Sequence, residues 1–67
     1  MPYVNIKITD ENVTEEKKAV LVKAVTDLLQ KELGKNPETT VVTIDVYSTD
    51  NWGIGAELVK ARRLKGK

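Results

Sequence analysis

Between Pro2 and Thr9 the chain alternates, with Val4, Ile6 and Ile8 on one side and Tyr3, Asn5 and Lys7 on the other. A period of two predicts a strand with one apolar face. Proline is tolerated at its first position, where its missing N–H costs no ladder bond. After the polar connection Asp10 to Val13 the period changes. Leu21, Ala24, Val25, Leu28 and Leu29 recur at three- and four-residue steps, and Val22 and Leu33 widen the stripe. Lys18, Lys23, Asp27, Gln30 and Lys31 fall largely elsewhere, as an amphipathic helix requires.

The ends of that helix are marked. Thr14 stands where an N-cap oxygen would accept from an unpaired backbone N–H, and Glu15 and Glu16 face the positive end of the helix dipole. Lys17 takes the place of the capping-box glutamate, so that box is incomplete. Gly34 supplies a left-handed stop, and Asn36-Pro37 bars continuation. Thr39 to Tyr47 then alternates Val42, Ile44 and Val46 against Val41, Thr43 and Asp45, a second strand rich in β-branched residues. Its spacing from the first, roughly thirty residues with a helix between, matches a right-handed β-α-β unit with parallel strands.

Ser48 to Asn51 is a polar turn, and Trp52-Gly53-Ile54-Gly55 places an aromatic beside flexible backbone. For the short stretch Ala56 to Arg63 the pattern does not separate a hairpin arm from a helical turn. Two strands and one helix leave an open sheet edge and an uncovered sheet face, neither stable alone. Pairing of two chains would give a four-stranded sheet, and further association would bury the remaining apolar face.

Composition strengthens that expectation. A 67-residue chain without cysteine or histidine is one domain, residues 1–67, with neither disulfides nor a Cys/His zinc site to support a small core. Self-association is the route left. Eleven basic against ten acidic residues give no reason to expect a nucleic-acid partner. Lys60, Arg62, Arg63, Lys65 and Lys67 form a basic tail from about residue 60, read as solvated and frayed because aromatic partners for bases are missing there. No apolar run is long enough to cross a membrane, and a cytoplasmic setting is expected.

The same composition excludes a Ser-His-Asp triad, a cysteine–histidine dyad and a histidine metal cluster. Asp10, Glu11, Glu15 and Glu16 cluster where a helix start favours acids anyway. Gly53-Ile54-Gly55 lacks the rest of a nucleotide fingerprint. Pro2 is different: loss of Met1 would leave a secondary amine. An α-amino group has a pKa of about 7.7–8.0, and an apolar pocket lowers it toward neutrality, where the amine can serve as a general base.

Four stretches together, Met1-Pro2-Tyr3-Val4-Asn5-Ile6-Lys7-Ile8, Thr14-Glu15-Glu16-Lys17-Lys18, Leu33-Gly34-Lys35-Asn36-Pro37 and Asn51-Trp52-Gly53-Ile54-Gly55-Ala56-Glu57, resemble the 4-oxalocrotonate tautomerase family in order and spacing. The resemblance implies an α+β fold: a single β-α-β protomer with parallel strands and a short C-terminal hairpin. It also implies dimers with a four-stranded sheet and a hexamer built as a trimer of dimers. No metal or organic cofactor is implied. Pro2 would shuttle a proton during tautomerisation of a small unsaturated 2-oxo acid or its enol, with Trp52 and Ile54 lining the pocket. Trp52 also reads as an interface anchor.

The sequence departs from that family at one point. Its best-known members hold the substrate carboxylates with two arginines, near the positions of Val13 and of Val41 to Thr43 here, and this chain has neither. A bidentate guanidinium grip is not replaced by valine. Lys35 at the helix end and Arg62 from a neighbouring chain are the candidate cations, and Thr40 is a candidate hydroxyl donor. Two other readings are a hydratase or dehalogenase using Glu57 or Asp45 to activate water, and an oligomeric binding module without catalysis.

Overall fold

A computed structural model of the chain describes residues 1–66. The alternating segments become strands β1, Tyr3–Thr9, and β2, Val41–Tyr47, joined by helix α1, Glu15–Leu33. The strands run parallel in an unbroken register from Tyr3 opposite Val41 to Thr9 opposite Tyr47. The fold is therefore α+β and built on one β-α-β unit, as expected. Strand β2 begins two residues later than the pattern suggested, because Pro37–Thr39 closes a 3-10 turn capped by the Asn36 side chain. Thr14 Oγ1 accepts from the Lys17 N–H at 3.1 Å. Gly34, at φ 64°, ends α1 with its own N–H on Gln30 O and the Lys35 N–H on Leu29 O.

Beyond β2, a second 3-10 turn at Thr49–Asn51 leads into a hairpin of β3, Gly53–Ile54, and β4, Glu57–Leu58. Gly55 and Ala56 form its tip with φ of 59° and 65°, the left-handed pair that a tight two-residue hairpin turn needs. A short helix α2, Val59–Leu64, follows directly. The C-terminal stretch is thus both a hairpin and a helical turn, in that order. It is also tied down: Arg63 pairs with Glu11 in the loop after β1, and Lys65 donates to Glu57 at 2.5 Å. The reading of a frayed tail is corrected through Lys65 by these ion pairs; Lys67 lies outside the described residues.

The two faces of the β1/β2 sheet differ. Helix α1 lies against β2, and Leu21, Val25 and Leu29 are half-buried, as are Val4, Ile6, Ile8, Val42 and Ile44. The opposite face is not the apolar surface anticipated but a hydrogen-bonded polar ladder. The Tyr3 and Thr43 hydroxyls lie 2.9 Å apart, and Asn5 Nδ2 donates to Thr43 Oγ1 at 2.7 Å and to Asp45 Oδ2 at 3.0 Å. Lys7 Nζ continues the row to Asp45 at 3.0 Å and to the Tyr47 hydroxyl at 3.2 Å. Parallel in-register pairing puts these side chains side by side on one face.

Among the described residues none is fully buried. The radius of gyration is 15.2 Å and the longest dimension 45 Å, against about 11 Å for the radius of a compact chain of this length. Val20 and Leu28, on the flank of α1 turned away from the sheet, are 66% and 54% exposed. This protomer lacks the closed core that would hold it folded alone, which physically restates the need for partner copies.

Candidate active site

Pro2 stands at the entrance of β1. Its carbonyl accepts from the Val41 N–H at 3.0 Å, so the first ladder bond of the sheet fixes the residue that would carry the amine. Met1 is 94% exposed, open to removal. While Met1 is attached, the Pro2 nitrogen is a tertiary amide, with no proton and no basic lone pair. Processing is therefore a chemical precondition for any role as a base.

Two of the expected partners share this end of the sheet. Thr40 directly precedes Val41, but its hydroxyl donates to Asn36 O at 2.9 Å and is thereby engaged within its own turn. Lys35 follows the C-terminal cap of α1 at the same end, with an exposed side chain. Val41, the first of the positions Val41 to Thr43 near which the family resemblance leads one to expect an arginine, is an aliphatic surface 44% exposed beside the Pro2 carbonyl. Val13, near the other such position, lies past the far end of β1, where it lines an open apolar groove of about 310 Å³ with Asn12, Lys17, Val20 and Leu21. None of the residues proposed for the site lies in that groove.

Trp52, Ile54 and Arg62 belong to the opposite end. Trp52 packs edge-on against Tyr47, the last residue of β2, with ring centroids 5.8 Å apart and planes inclined at 63°. Its carbonyl takes the Val59 N–H at 2.8 Å, locking the base of the hairpin. Ile54 projects from the arm and is 55% exposed. Arg62 folds back over the hairpin tip, its Nη1 3.0 Å from where a Cβ on Gly55 would stand. Seven in-register positions separate the two ends, which is about 20 Å at the rise of a parallel strand. One chain therefore does not bring Pro2 together with Trp52, Ile54 and Arg62.

The polar ladder and the α2 contacts escaped the sequence reading. They engage both carboxylates that are candidates for water activation. The Asn5 amide, then the Lys7 ammonium, hold the Asp45 carboxyl below its ordinary value, and Lys7 is raised by Asp45 and Tyr47. Glu57 is paired with Lys65 at 2.5 Å and with Arg62 at 3.9 Å. Both carboxylates are committed to cations of their own chain. The Thr9 hydroxyl, followed by the charge of Arg63, lowers Glu11. A pattern signal for the ladder did exist: Tyr3, Asn5 and Lys7 fall opposite Val41, Thr43 and Asp45 once parallel register is assumed.

Comparison with known proteins converges on one group. A family model described as Tautomerase enzyme matches residues 2–62. A probable tautomerase, K2, from Dickeya dadantii is 60% identical over 63 residues, spanning 94% of each chain. The crystal structure of DmpI from Helicobacter pylori is 42% identical, covers 94% of this chain and 97% of its own, and superposes with a TM-score of 0.88. A heterohexameric 4-oxalocrotonate tautomerase from Chloroflexus aurantiacus shares the fold at 18% identity and a TM-score of 0.81, over 90% of this chain and 95% of its own.

Proposed function

Because this chain belongs to the tautomerase family, we propose that it catalyses keto–enol tautomerisation of a small unsaturated 2-oxo acid, with the amine of Pro2 as general base once Met1 is gone. The neutral amine takes the hydroxyl proton of the enol while the electron pair moves through the conjugated carbons. The ammonium so formed returns the proton to carbon, at C3 for a 1,3-shift or C5 for a 1,5-shift, and the base is regenerated. Atoms and charges balance without metal or organic cofactor. The cytoplasm is taken as the setting in the same reading.

One observation carries the mechanism: the separation of about 20 Å between the Pro2 end and the apolar arm of the same protomer. An amine in water titrates near its ordinary value and is largely protonated at pH 7. A base active at neutrality needs an apolar wall, and the arm bearing the half-buried Trp52 and the exposed Ile54 is the element we assign to supply it from a second copy. The site is then complete only between chains. A homo-oligomer follows, first a dimer and then a hexamer, which suits a protomer with no fully buried residue among those described.

The test compares chains that have lost Met1 with chains that retain it, assayed for ketonisation of phenylenolpyruvate and checked by intact mass. Retention converts the amine to an amide and is expected to lower kcat/KM by about 10²–10⁴-fold, the usual worth of a positioned acid or base. Equal rates for the two forms would refute the amine mechanism.

A further inference from the structure

We propose that Arg62 of a second copy binds the substrate's carboxylate, and that this site is built for a 2-oxo acid, or its enol, bearing a single carboxylate. The inference rests on the preceding reading, in which a neighbour's arm closes over Pro2.

It begins from the cations that travel with that arm. Arg63 is turned away toward Glu11, and Lys65 is held by Glu57 Oε2 at 2.5 Å. Arg62 is placed differently. Its guanidinium lies on the backbone of Gly55, beside Ile54, in space that a Cβ would take. Its acidic partner, Glu57 Oε1, stands at 3.9 Å from Nη1, beyond hydrogen-bond distance. Glu57 therefore orients the arginine without consuming its fork of donors. With about a third of its side chain exposed, Arg62 is held in place yet open to an anion. Any chain that places Ile54 over a neighbour's Pro2 delivers this guanidinium with it.

The receiving end explains the count of carboxylates. Around Pro2 the chain offers the aliphatic Val41, 44% exposed, the occupied hydroxyl of Thr40, and the exposed Lys35 beyond the cap of α1. A planar guanidinium grips one carboxylate through two parallel bonds. A second carboxylate set against Val41 would be desolvated with no guanidinium fork to meet it, Lys35 at this end offering only a hydrated single ammonium on an exposed side chain, a cost that selects against dicarboxylates. An apolar or aromatic far end would instead find matching surface.

The experiment uses full-length chain lacking Met1, with phenylenolpyruvate as the one-carboxylate probe and 2-hydroxymuconate as the two-carboxylate probe. Arg62→Ala is expected to raise KM for phenylenolpyruvate about tenfold or more with a smaller change in kcat, and Arg62→Lys, which keeps charge but loses the fork, to fall between. Arg63→Gln should leave KM unaltered. The unmodified chain should show the higher kcat/KM on the one-carboxylate probe. An unchanged KM in both Arg62 variants, or a preference for the dicarboxylate, overturns the assignment. If that happens while Met1 retention still abolishes activity, the proline mechanism survives; if Met1 retention has no effect, both readings fall.

Discussion

The two ends of the β1/β2 sheet are built in contrasting ways. At the Pro2 end a single ladder bond and a 3-10 turn fix the future amine, and the surroundings are sparse: Val41, an engaged Thr40 and an exposed lysine. At the other end Tyr47, Trp52, the hairpin and α2 are tied together by an aromatic contact and by the pairs Arg63–Glu11 and Lys65–Glu57. One end holds a reactive group without an environment, and the other an environment without a reactive group. Since about 20 Å of strand separates them, the proposed site between chains would couple assembly to catalysis, a chain gaining its pocket and its core from the same contacts.

Stripping the environment from the well-built end should reproduce the bareness of the other. Trp52→Ala removes the aromatic part of the wall, so the amine becomes harder to hold neutral. The acid limb of the pH–rate profile is expected to move upward, by up to about one pH unit, as the pKa returns toward that of a free α-amino group. A limb that stays in place would separate Trp52 from the amine's environment.

A smaller effect concerns the rigidity of the arm. Ala56 occupies the left-handed region at φ 65°, a conformation that costs a Cβ-bearing residue about 1–2 kcal/mol. Ala56→Gly should relieve strain in the turn while loosening the unfolded chain, leaving a net gain of up to about 1 kcal/mol. Urea unfolding at fixed protein concentration measures it, concentration being held because stability and association are linked.

The smallest effect lies in the polar ladder along the sheet between the ends. Asp45 has a folded pKa below its unfolded one, so its contribution is present above about pH 4 and is lost as pH falls through the lowered folded value. Glu11 behaves alike. Asp45→Asn should therefore flatten the acid side of the stability curve below about pH 4. Lys7, raised by Asp45, contributes below its ordinary pKa of about 10.4 and loses this only as pH climbs through its folded value.

Much of this architecture was legible before any coordinates. Periods of two and of three to four, Thr14 as cap and Gly34 as stop placed β1, α1 and β2 because each signal is local and acts through the backbone. What local signals do not carry is which side chains meet across the fold. The pairing of Arg63 with Glu11, the seating of Arg62 on Gly55 and the ladder from Tyr3 to Tyr47 depend on register and on the path of the chain after β2. The resemblance gave Pro2, Trp52 and Ile54 as a group, yet their distance within one chain appears only when β1 and β2 are seen to run parallel for their full length. Ala56 gave no warning, since alanine has no preference for the left-handed turn it occupies.

The division of the site between chains is the central claim, and mixing two defective chains tests it most directly. One chain retains Met1 and so lacks the amine; the other carries Ile54→Asp, at a residue more than half exposed in its own protomer, and so lacks an apolar wall. Each should be nearly inactive alone. Unfolded together in equal amounts and refolded, they should regain activity at about a quarter of the sites, those where an intact Pro2 meets an intact arm from the other chain, with sizing confirming assembly. Mixed assemblies that form but stay as inactive as their parents would contradict a site shared between subunits.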